Sequence, residues 1–540
     1  MLRYRIKKAV GKLIVVALLA SSLNACILPQ VKPTDALEPN KGLVIVRIVN
    51  NVDFLNSPFP FDTNWQSLRI SETKEEGRSF NLSQAHLATT RSIQIFSAQL
   101  PEGTYRLETL IVAGGKRYYT LTYKSWVPLD KLGIFKVVPG HITNLGTIIY
   151  QPIDGNRYQL IHANIDAELH EMIANNYPVI NKIAAGKKMI GWDNESILEN
   201  TFIAPSDYLN NLESRVTQKN ILNKSAALSF AKANSAGFNN PRQISSGEIF
   251  AGSKLGQVLV KERDGKWTQL DTGFTREITA VLPIDKKTIF AGGEDGVLLL
   301  TNDGGRSWKR VETPLKTSIL FLEQVNGQFF IGSRLWSDYL GDRTDLFYET
   351  GDILSNNWKA IEAIKPISGF ISYPAFASCI ANNKLYLFIP GSIIYVFDLT
   401  TNSWNMIKTP FGYMSINSFK NGFFYAQGRY NTAYVSHDFG NTWISIDLPS
   451  GRFGAVNNPV FINNQNGFVL IFKPVTNNVT LKKTQDGGKS WEEVSDFNDL
   501  KLPYPWKLFY DYVNNKLYFA VDGRIYIASD DDFKNWTRVR

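Results

Sequence analysis

Two cysteines in 540 residues, Cys26 and Cys379, are too few for a disulfide scaffold. The five histidines, His86, His141, His162, His170 and His437, are scattered, with no His-Glu-x-x-His and no cysteine pair. Nothing in that spacing points to a metal centre. A Gly-x-x-x-x-Gly-Lys-Ser/Thr loop is also missing, so no nucleotide and no other cofactor is expected. Runs of Lys and Arg are absent outside the first residues. The formal charge of +9 owes five units to Arg3, Arg5, Lys7, Lys8 and Lys12, and residues 1–25 hold no acid; nine minus five leaves +4 for the remainder. That is ordinary for a chain of this size and excludes a dedicated phosphate-tracking surface, so no nucleic acid partner is expected. The apolar run Leu13 to Ala20 is far shorter than the roughly 20 residues needed to span a bilayer as a helix.

What is present is aromatic. Phe, Trp and Tyr make up 13% of the chain, with 12 Trp and 23 Tyr, a composition that leans toward all-β architecture. The short apolar run behind a basic start reads as a signal peptide over residues 1–25. It ends in Leu23-Asn24-Ala25-Cys26, which resembles the bacterial lipobox: an aliphatic residue, a tolerant position, a small residue and an obligatory Cys. The resemblance implies lipidation of Cys26 and cleavage before it, and two or three acyl chains hold a protein on its membrane far more firmly than one. Ile27 follows where an Asp would imply inner-membrane retention in enteric-type sorting, so the expected address is the outer membrane of the cell envelope.

Residues 26–41 hold Pro29, Pro33 and Pro39 among polar residues and read as an extended tether. From 42 to 165 short β-rich runs follow: Leu43 to Val49, Ser92 to Phe96, Tyr105 to Val112, Tyr118 to Tyr123 and Ile134 to Val138. Their spacing predicts a β-sandwich. Leu100-Pro101-Glu102-Gly103-Thr104-Tyr105-Arg106-Leu107 resembles the turn and strand of transthyretin-like modules, an Ig-like architecture whose usual role is spacing or docking. In residues 166–240, Leu169, Met172 and Ile173, then Leu209, Leu212 and Val216, share helix faces and predict a short helical connector.

Beyond 240 the chain repeats. Ile249-Phe250-Ala251-Gly252 returns as Ile289-Phe290-Ala291-Gly292, and similar starts follow at Phe329, Leu385, Phe423, Phe468 and Leu517. A Trp closes each unit: Trp267, Trp308, Trp358, Trp404, Trp443, Trp491 and Trp536, with a mean period of about 45 residues, the length of a four-stranded blade. The expected fold class is therefore mainly β, with a seven-bladed β-propeller over 241–540.

Three units carry an intact Ser/Thr-x-Asp-x-Gly-x-x-Trp: Asp303, Gly305 and Trp308; Asp438, Gly440 and Trp443; Asp486, Gly488 and Trp491. This resembles the Asp-box, or BNR, repeat of sialidases, sortilin-type receptors, xyloglucan-cleaving enzymes and a photosystem II assembly factor. The resemblance implies a structural turn between the outer two strands, with the Asp taking backbone N–H groups, the Gly a tight conformation and the Trp packing between blades. The last unit replaces Gly by Phe533, and the first blade lacks a strand, expected upstream over Ala227 to Ala231.

Catalytic residues are not identifiable. The Arg-Ile-Pro signature of sialidases is missing, and Arg242, Arg263, Arg276, Arg334, Arg429 and Arg524 cannot be assembled into a carboxylate-binding triad from spacing. Cys379 lies in an apolar run and reads as a buried hydrophobe. The expected function is a membrane-anchored lipoprotein whose propeller face binds a protein or glycan partner in a scaffold or assembly role, with the aromatic insertion Trp336, Tyr339 and Tyr348 as recognition loop. The alternative is a glycoside hydrolase acting on surface glycans, which requires two positioned carboxylates.

Overall fold

The computed structural model describes residues 25–540 except 52–64, 76, 85–92, 116–121, 130–131, 155–156, 164–165, 195–201, 204–223, 337–342, 362–363, 365–375, 419–420, 429–431, 448–454, 457–458, 474–477, 498–506, 522–523 and 529–531. Leu209, Leu212, Val216, His86, Tyr339 and Arg429 lie outside the described residues. The chain divides into two compact units, the first Met1–Asn50 with Ser57–Leu228, the second Asn51–Asn56 with Ser229–Arg540.

The first unit holds β1 (Ala25–Ile27), β2 (Lys41–Asn50), β3 (Trp65–Glu72), β4 (Ser79–Gln84), β5 (Ile93–Pro101), β6 (Gly103–Gly115), β7 (Thr122–Pro128), β8 (Ile134–Val137), β9 (Ile142–Asp154), β10 (Arg157–Ala163), β11 (Trp192–Asn194) and β12 (Phe202–Ile203). Their order is β11-β8-β6-β3-β4-β5-β2-β9-β10-β12, with β1 on β4 and β7 on β6. Residues from both halves of this path, Leu68, Ile70, Leu107 and Phe135 on one side and Val44, Val46, Ile148 and Leu160 on the other, share one core.

β2 explains why its sequence is a continuous apolar run rather than an alternation. Val44, Val46 and Ile48 face that core, while Leu43 and Ile45 face a second cluster with Met172, Ile173, Tyr177 and Ile180 of the helices Asp166–Asn176 and Pro178–Ile183. Its pairing with β9 is parallel, and parallel strands covered on both faces read this way. The stretch 166–240 is thus more than a connector: its first helices cover a face of the sheet, and Trp192–Asn194 and Phe202–Ile203 add strands to it. The expected free tether over 26–41 is corrected too. Leu28 packs on the first core and Val31 and Leu37 on the second, because apolar residues between the prolines have strand faces to cover.

The second unit is a ring of seven blades. Four blades are separate four-stranded sheets: blade 1 (Asn239–Gln243, Ile249–Gly252, Gln257–Lys261, Trp267–Asp271), blade 2 (Ile278–Pro283 to Lys309–Val311), blade 3 (Ile319–Val325 to Lys359–Ala360) and blade 7 (Lys507–Asp511 to Trp536–Arg538). Blades 4 and 5 share one seven-stranded sheet, since the long strand Ser403–Ser418 is the outermost strand of one and the innermost of the next. Blade 6 has its innermost strand in two pieces, Ala455–Val456 and Val460–Phe461.

Each pair of neighbouring blades shares a hydrophobic cluster, and each cluster holds one of the seven repeat tryptophans. Trp308 lies between blades 1 and 2, Trp358 between 2 and 3, Trp404 between 3 and 4, Trp443 between 4 and 5, Trp491 between 5 and 6, and Trp536 between 6 and 7. Trp267 lies between blades 7 and 1 and completes the circle.

The expected closing strand over Ala227 to Ala231 is not there. Those residues belong to the helix Lys224–Ala233, and blade 1 takes its innermost strand from Asn239–Gln243. The run Lys-Ser-Ala-Ala-Leu-Ser-Phe-Ala is rich in helix formers and lacks the β-branched residues of a strand. Closure therefore comes from packing, with Phe238 stacked on Phe509 at 4.5 Å, and from polar bonds rather than a shared sheet. Lys261 and Asp511, both fully buried, pair at 2.8 Å, and Gln243 donates to the same carboxylate at 2.6 Å.

Candidate functional site

In each blade the turns between strands one and two and between strands three and four fall on the same rim, because successive strands are antiparallel. We call this the lower rim. The three Asp-box turns lie at its periphery. In blade 2 the Asp303 carboxylate accepts the backbone N–H of Arg306 and of Ser307, each at 3.0 Å, and the hydroxyls of Thr301 and Ser307 at 2.7 and 2.6 Å. Asp438 does the same with Thr442 and Ser436, and Asp486 with Ser490 and Thr484. The hydroxyl just before each Trp (Ser307, Thr442, Ser490) belongs to the motif as built, and its recurrence at one position in three repeats was the signal available in the sequence.

These bonds stabilise the charged carboxylate. The Ser307 hydroxyl, with the Ser307 and Thr301 groups, holds Asp303 well below the usual carboxylate range. At Asp486 partial burial pushes the other way, but the Ser490 bonds outweigh it and bring the carboxyl down to about 2. Gly305, Gly440 and Gly488 sit at φ of 87°, 86° and 91°, and a Cβ on Gly305 would stand 2.7 Å from Leu270 of blade 1. Phe533 occupies the corresponding place in blade 7 at φ 58°, with its ring 4.6 Å from Phe468.

The ring centre is a different environment. Arg242, on the innermost strand of blade 1, reaches past blade 2 to pair with Glu323 of blade 3 at 2.9 Å, and the same Glu323 oxygen accepts the Ser378 hydroxyl of blade 4 at 2.6 Å. Glu323 and Asp511, both on innermost strands, are therefore each engaged by a cation. At Asp511 burial raises the carboxyl's pKa, but the bonds from Lys261 and Asn514 outweigh it and keep the group ionised.

At the lower mouth of the channel is a cleft of about 250 Å³, bounded by the ends of the innermost strands of blades 1, 5, 6 and 7. Its walls include Pro241, Ser418, Phe461, Leu508 and Tyr510, with Tyr512 at the edge. Tyr512 is 51% exposed, yet its hydroxyl donates to the Phe461 carbonyl at 2.9 Å and its ring lies 5.3 Å from that of Tyr510. The ring is pinned, and what it presents is aromatic surface. Val513 beside it and Ile284 on the corresponding turn of blade 2 are 46% and 41% exposed. Sequence reasoning missed this cleft because its walls come from four separated segments, each an ordinary strand end.

The residues singled out from sequence are placed as follows. Trp336 ends the strand Gln328–Trp336 on the opposite rim. Tyr348 packs with Trp358 in the cluster between blades 2 and 3, so it is a packing residue and not part of a recognition loop. Among the arginines, Arg276 is buried 3.7 Å from Asp295, Arg263 is on an exposed turn of blade 1 and Arg524 starts the third strand of blade 7. Neither of the last two is on the innermost strand that carries Arg242. His141 and His162 each contact a backbone carbonyl, at 3.0 and 3.1 Å, and among the described residues no group of three metal-binding side chains occurs. Cys379 is buried between blades 4 and 5. Cys26 lies in β1, its backbone opposite Phe80.

No family model matches the chain, and no curated protein matches it. Solved structures similar to it include YCF48 bound to D1 peptide, at 15% identity over 54% of this chain and 92% of that one with a TM-score of 0.41. A GH74 xyloglucanase from Xanthomonas campestris is similar at 15% identity over 55% of this chain and 52% of that one, TM-score 0.42. BamB from Moraxella catarrhalis is similar at 11% identity over 54% and 82%, TM-score 0.32.

Proposed function

We propose that the chain is a lipid-anchored protein of the cell envelope whose propeller binds a protein or glycan partner at the lower mouth of its channel, in a scaffold or assembly role. The observation that carries the binding reading is the cleft with the pinned, half-exposed Tyr512 at its edge. A concave site at the end of a ring channel, with an aromatic surface held rigid, is the usual form of a recognition site. The engagement of Glu323 by Arg242 and of Asp511 by Lys261 favours binding over hydrolysis, since neither carboxylate is placed to act as acid and nucleophile.

The anchoring reading rests on Leu23 to Cys26 and, for the outer membrane, on Ile27. The packing of Leu28, Val31 and Leu37 adds a consequence: acyl chains on Cys26 hold the first unit close against the lipid surface instead of on a long leash.

Growth with labelled palmitate tests the anchor, which predicts label in the wild-type chain and none in Cys26→Ser. Capture from solubilised membranes tests the role. A stoichiometric partner lost on Tyr512→Ala, without glycoside turnover, supports it; turnover abolished by Glu323→Gln replaces it with a hydrolase.

A further inference from the structure

The strand that carries Cys26 and a group of exposed lysines lie at one end of the first unit. Lys41 begins β2 opposite Pro101, the last residue of β5, and the Lys41 carbonyl accepts the N–H of Gly140 at 2.9 Å. Gly103 pairs with Val137, Glu72 with Tyr105 and Ser71 with Ser79, so the turns after β3, β5 and β8 share this end. Ala25 lies opposite Ser79 in a parallel pairing, which puts Cys26 one residue in from the same end, with the chain after it running along β4.

The helix Pro178–Ile183 and the turn after it reach this end as well. The Lys187 ammonium donates to the Gly140 carbonyl at 3.0 Å, and the Ile190 N–H to the Ile142 carbonyl at 3.0 Å. Tyr177 and Ile180 face the second core cluster, while Val179 and Ile183, one helical turn apart, are 37% and 48% exposed. Lys182, Lys187 and Lys188 are exposed around them, and Met172 to Trp192 contains no acidic residue. Among the described residues neither Lys182 nor Lys188 has a carboxylate partner. Of the acids nearby, Glu38, Glu72 and Asp193 are paired with Lys41, Arg78 and Lys136, and Glu75 and Glu102 lie on the turns after β3 and β5. The uncompensated positive charge of the helix therefore sits with its exposed apolar pair.

That combination fits a surface that is negatively charged outside and apolar beneath, as an anionic bilayer is. Lysine stems are long enough to leave the ammonium groups at the headgroups while an isoleucine goes deeper. A nucleic acid offers the charge without the apolar layer. An acidic protein would have to be brought to this end, whereas acyl chains on Cys26 already bring the bilayer there.

We propose that this end of the first unit lies on an anionic lipid surface, with Lys182, Lys187 and Lys188 at the headgroups and Val179 and Ile183 at the boundary below them. Lipid contact then orients the unit as well as holding it. This rests on the reading of Cys26 as the lipid anchor.

The test uses the full chain made in a lipoprotein-processing bacterium and reconstituted into vesicles of phosphatidylglycerol and phosphatidylethanolamine. An environment-sensitive fluorescent amino acid replaces Ile183, and lipids carrying a doxyl quencher report its contact with the bilayer. Labelled palmitate reports the anchor separately. Lys182→Glu combined with Lys188→Glu reverses two charges that hold nothing in the fold, and melting curves confirm that the variant folds. The expected result is quenching at position 183 that salt weakens and that falls at least about fivefold in the double variant or in phosphatidylcholine vesicles. Anchored chains stay on the vesicles in every case, so the loss reads orientation and not attachment. Palmitate on Cys26 with a probe that stays in water overturns the proposal, leaves the anchor standing and makes the patch a surface for a protein. Quenching that ignores both the charge reversal and the lipid charge also overturns it. Charge-dependent quenching without palmitate means that the anchor is wrong and the lipid-facing surface stands. If neither signal appears, both are wrong.

Discussion

The strand Lys41–Asn50 of the first unit and the strand Ile289–Gly293 of blade 2 are both buried on two faces, but by unlike means. The first is covered by a sheet core on one side and by two helices from a later part of the chain on the other. The second alternates Ile289 and Ala291 toward blade 1 with Phe290 toward blade 3, so its cover is simply more of the same repeat. Covering by repetition spreads the core over seven similar interfaces with one Trp in each. Covering by distant segments concentrates it in two clusters that depend on particular pairings. The exception inside the ring is the interface between blades 7 and 1, which joins the last blade to the first and adds the buried Lys261–Asp511 pair to the packing.

That exception supplies the largest expected effect. Lys261→Met leaves Asp511 buried without its cation and is expected to cost about 3–5 kcal/mol in unfolding free energy. The double variant Lys261→Met with Asp511→Leu recovers most of that loss. Denaturant titration of the two checks this, and equal losses in both would mean that the ion pair is not what closes the ring. In the first unit, Ile45→Ala opens a hole between β2 and the helices, with an expected cost of about 2–5 kcal/mol. Hydrogen exchange should show the weakened protection in β2, β5 and β9 and leave blades 2 to 5 as they were; spread across both units, it would erase the contrast.

Gly305→Ala is smaller, about 2 kcal/mol, because it forces a side chain into a left-handed conformation against Leu270. Its melting temperature should drop more than that of an exposed alanine substitution such as Leu354→Ala. Acid acts more gently. Asp303, Asp438 and Asp486 have folded pKa values depressed by their turn bonds, so their contribution is complete above the ordinary carboxylate pKa of about 4 and is lost as pH falls, for Asp486 through about 2. Melting between pH 5 and 2 should therefore fall less steeply in Asp486→Asn than in the wild type.

Much of the propeller was legible because repetition gives several independent readings of one pattern. The Ile-Phe-Ala-Gly starts became second strands and the tryptophans opened the outermost ones. The innermost strand of blade 1, Asn-Asn-Pro-Arg-Gln, was not legible, since nothing in it favours a strand. It is one because an edge facing the channel needs no donor from Pro241 and because Ile249–Gly252 offers it a partner. In the first unit β9 and β10 escaped notice for a related reason: the place of β9 is set by its long-range parallel pairing with β2, and β10 folds back on it as a hairpin. The cleft escaped entirely, as Ser418, Phe461 and Leu508 become neighbours only once the ring is closed.

The central claim is that the lower mouth of the propeller is where the partner binds. It is tested most directly by placing the photo-crosslinker p-benzoylphenylalanine at position 512 and, in a separate chain, at position 406 on an exposed outermost strand, then irradiating intact cells. The account predicts one discrete crosslinked protein from position 512 and none from position 406. The same product from both, or a product from position 406 alone, would contradict it.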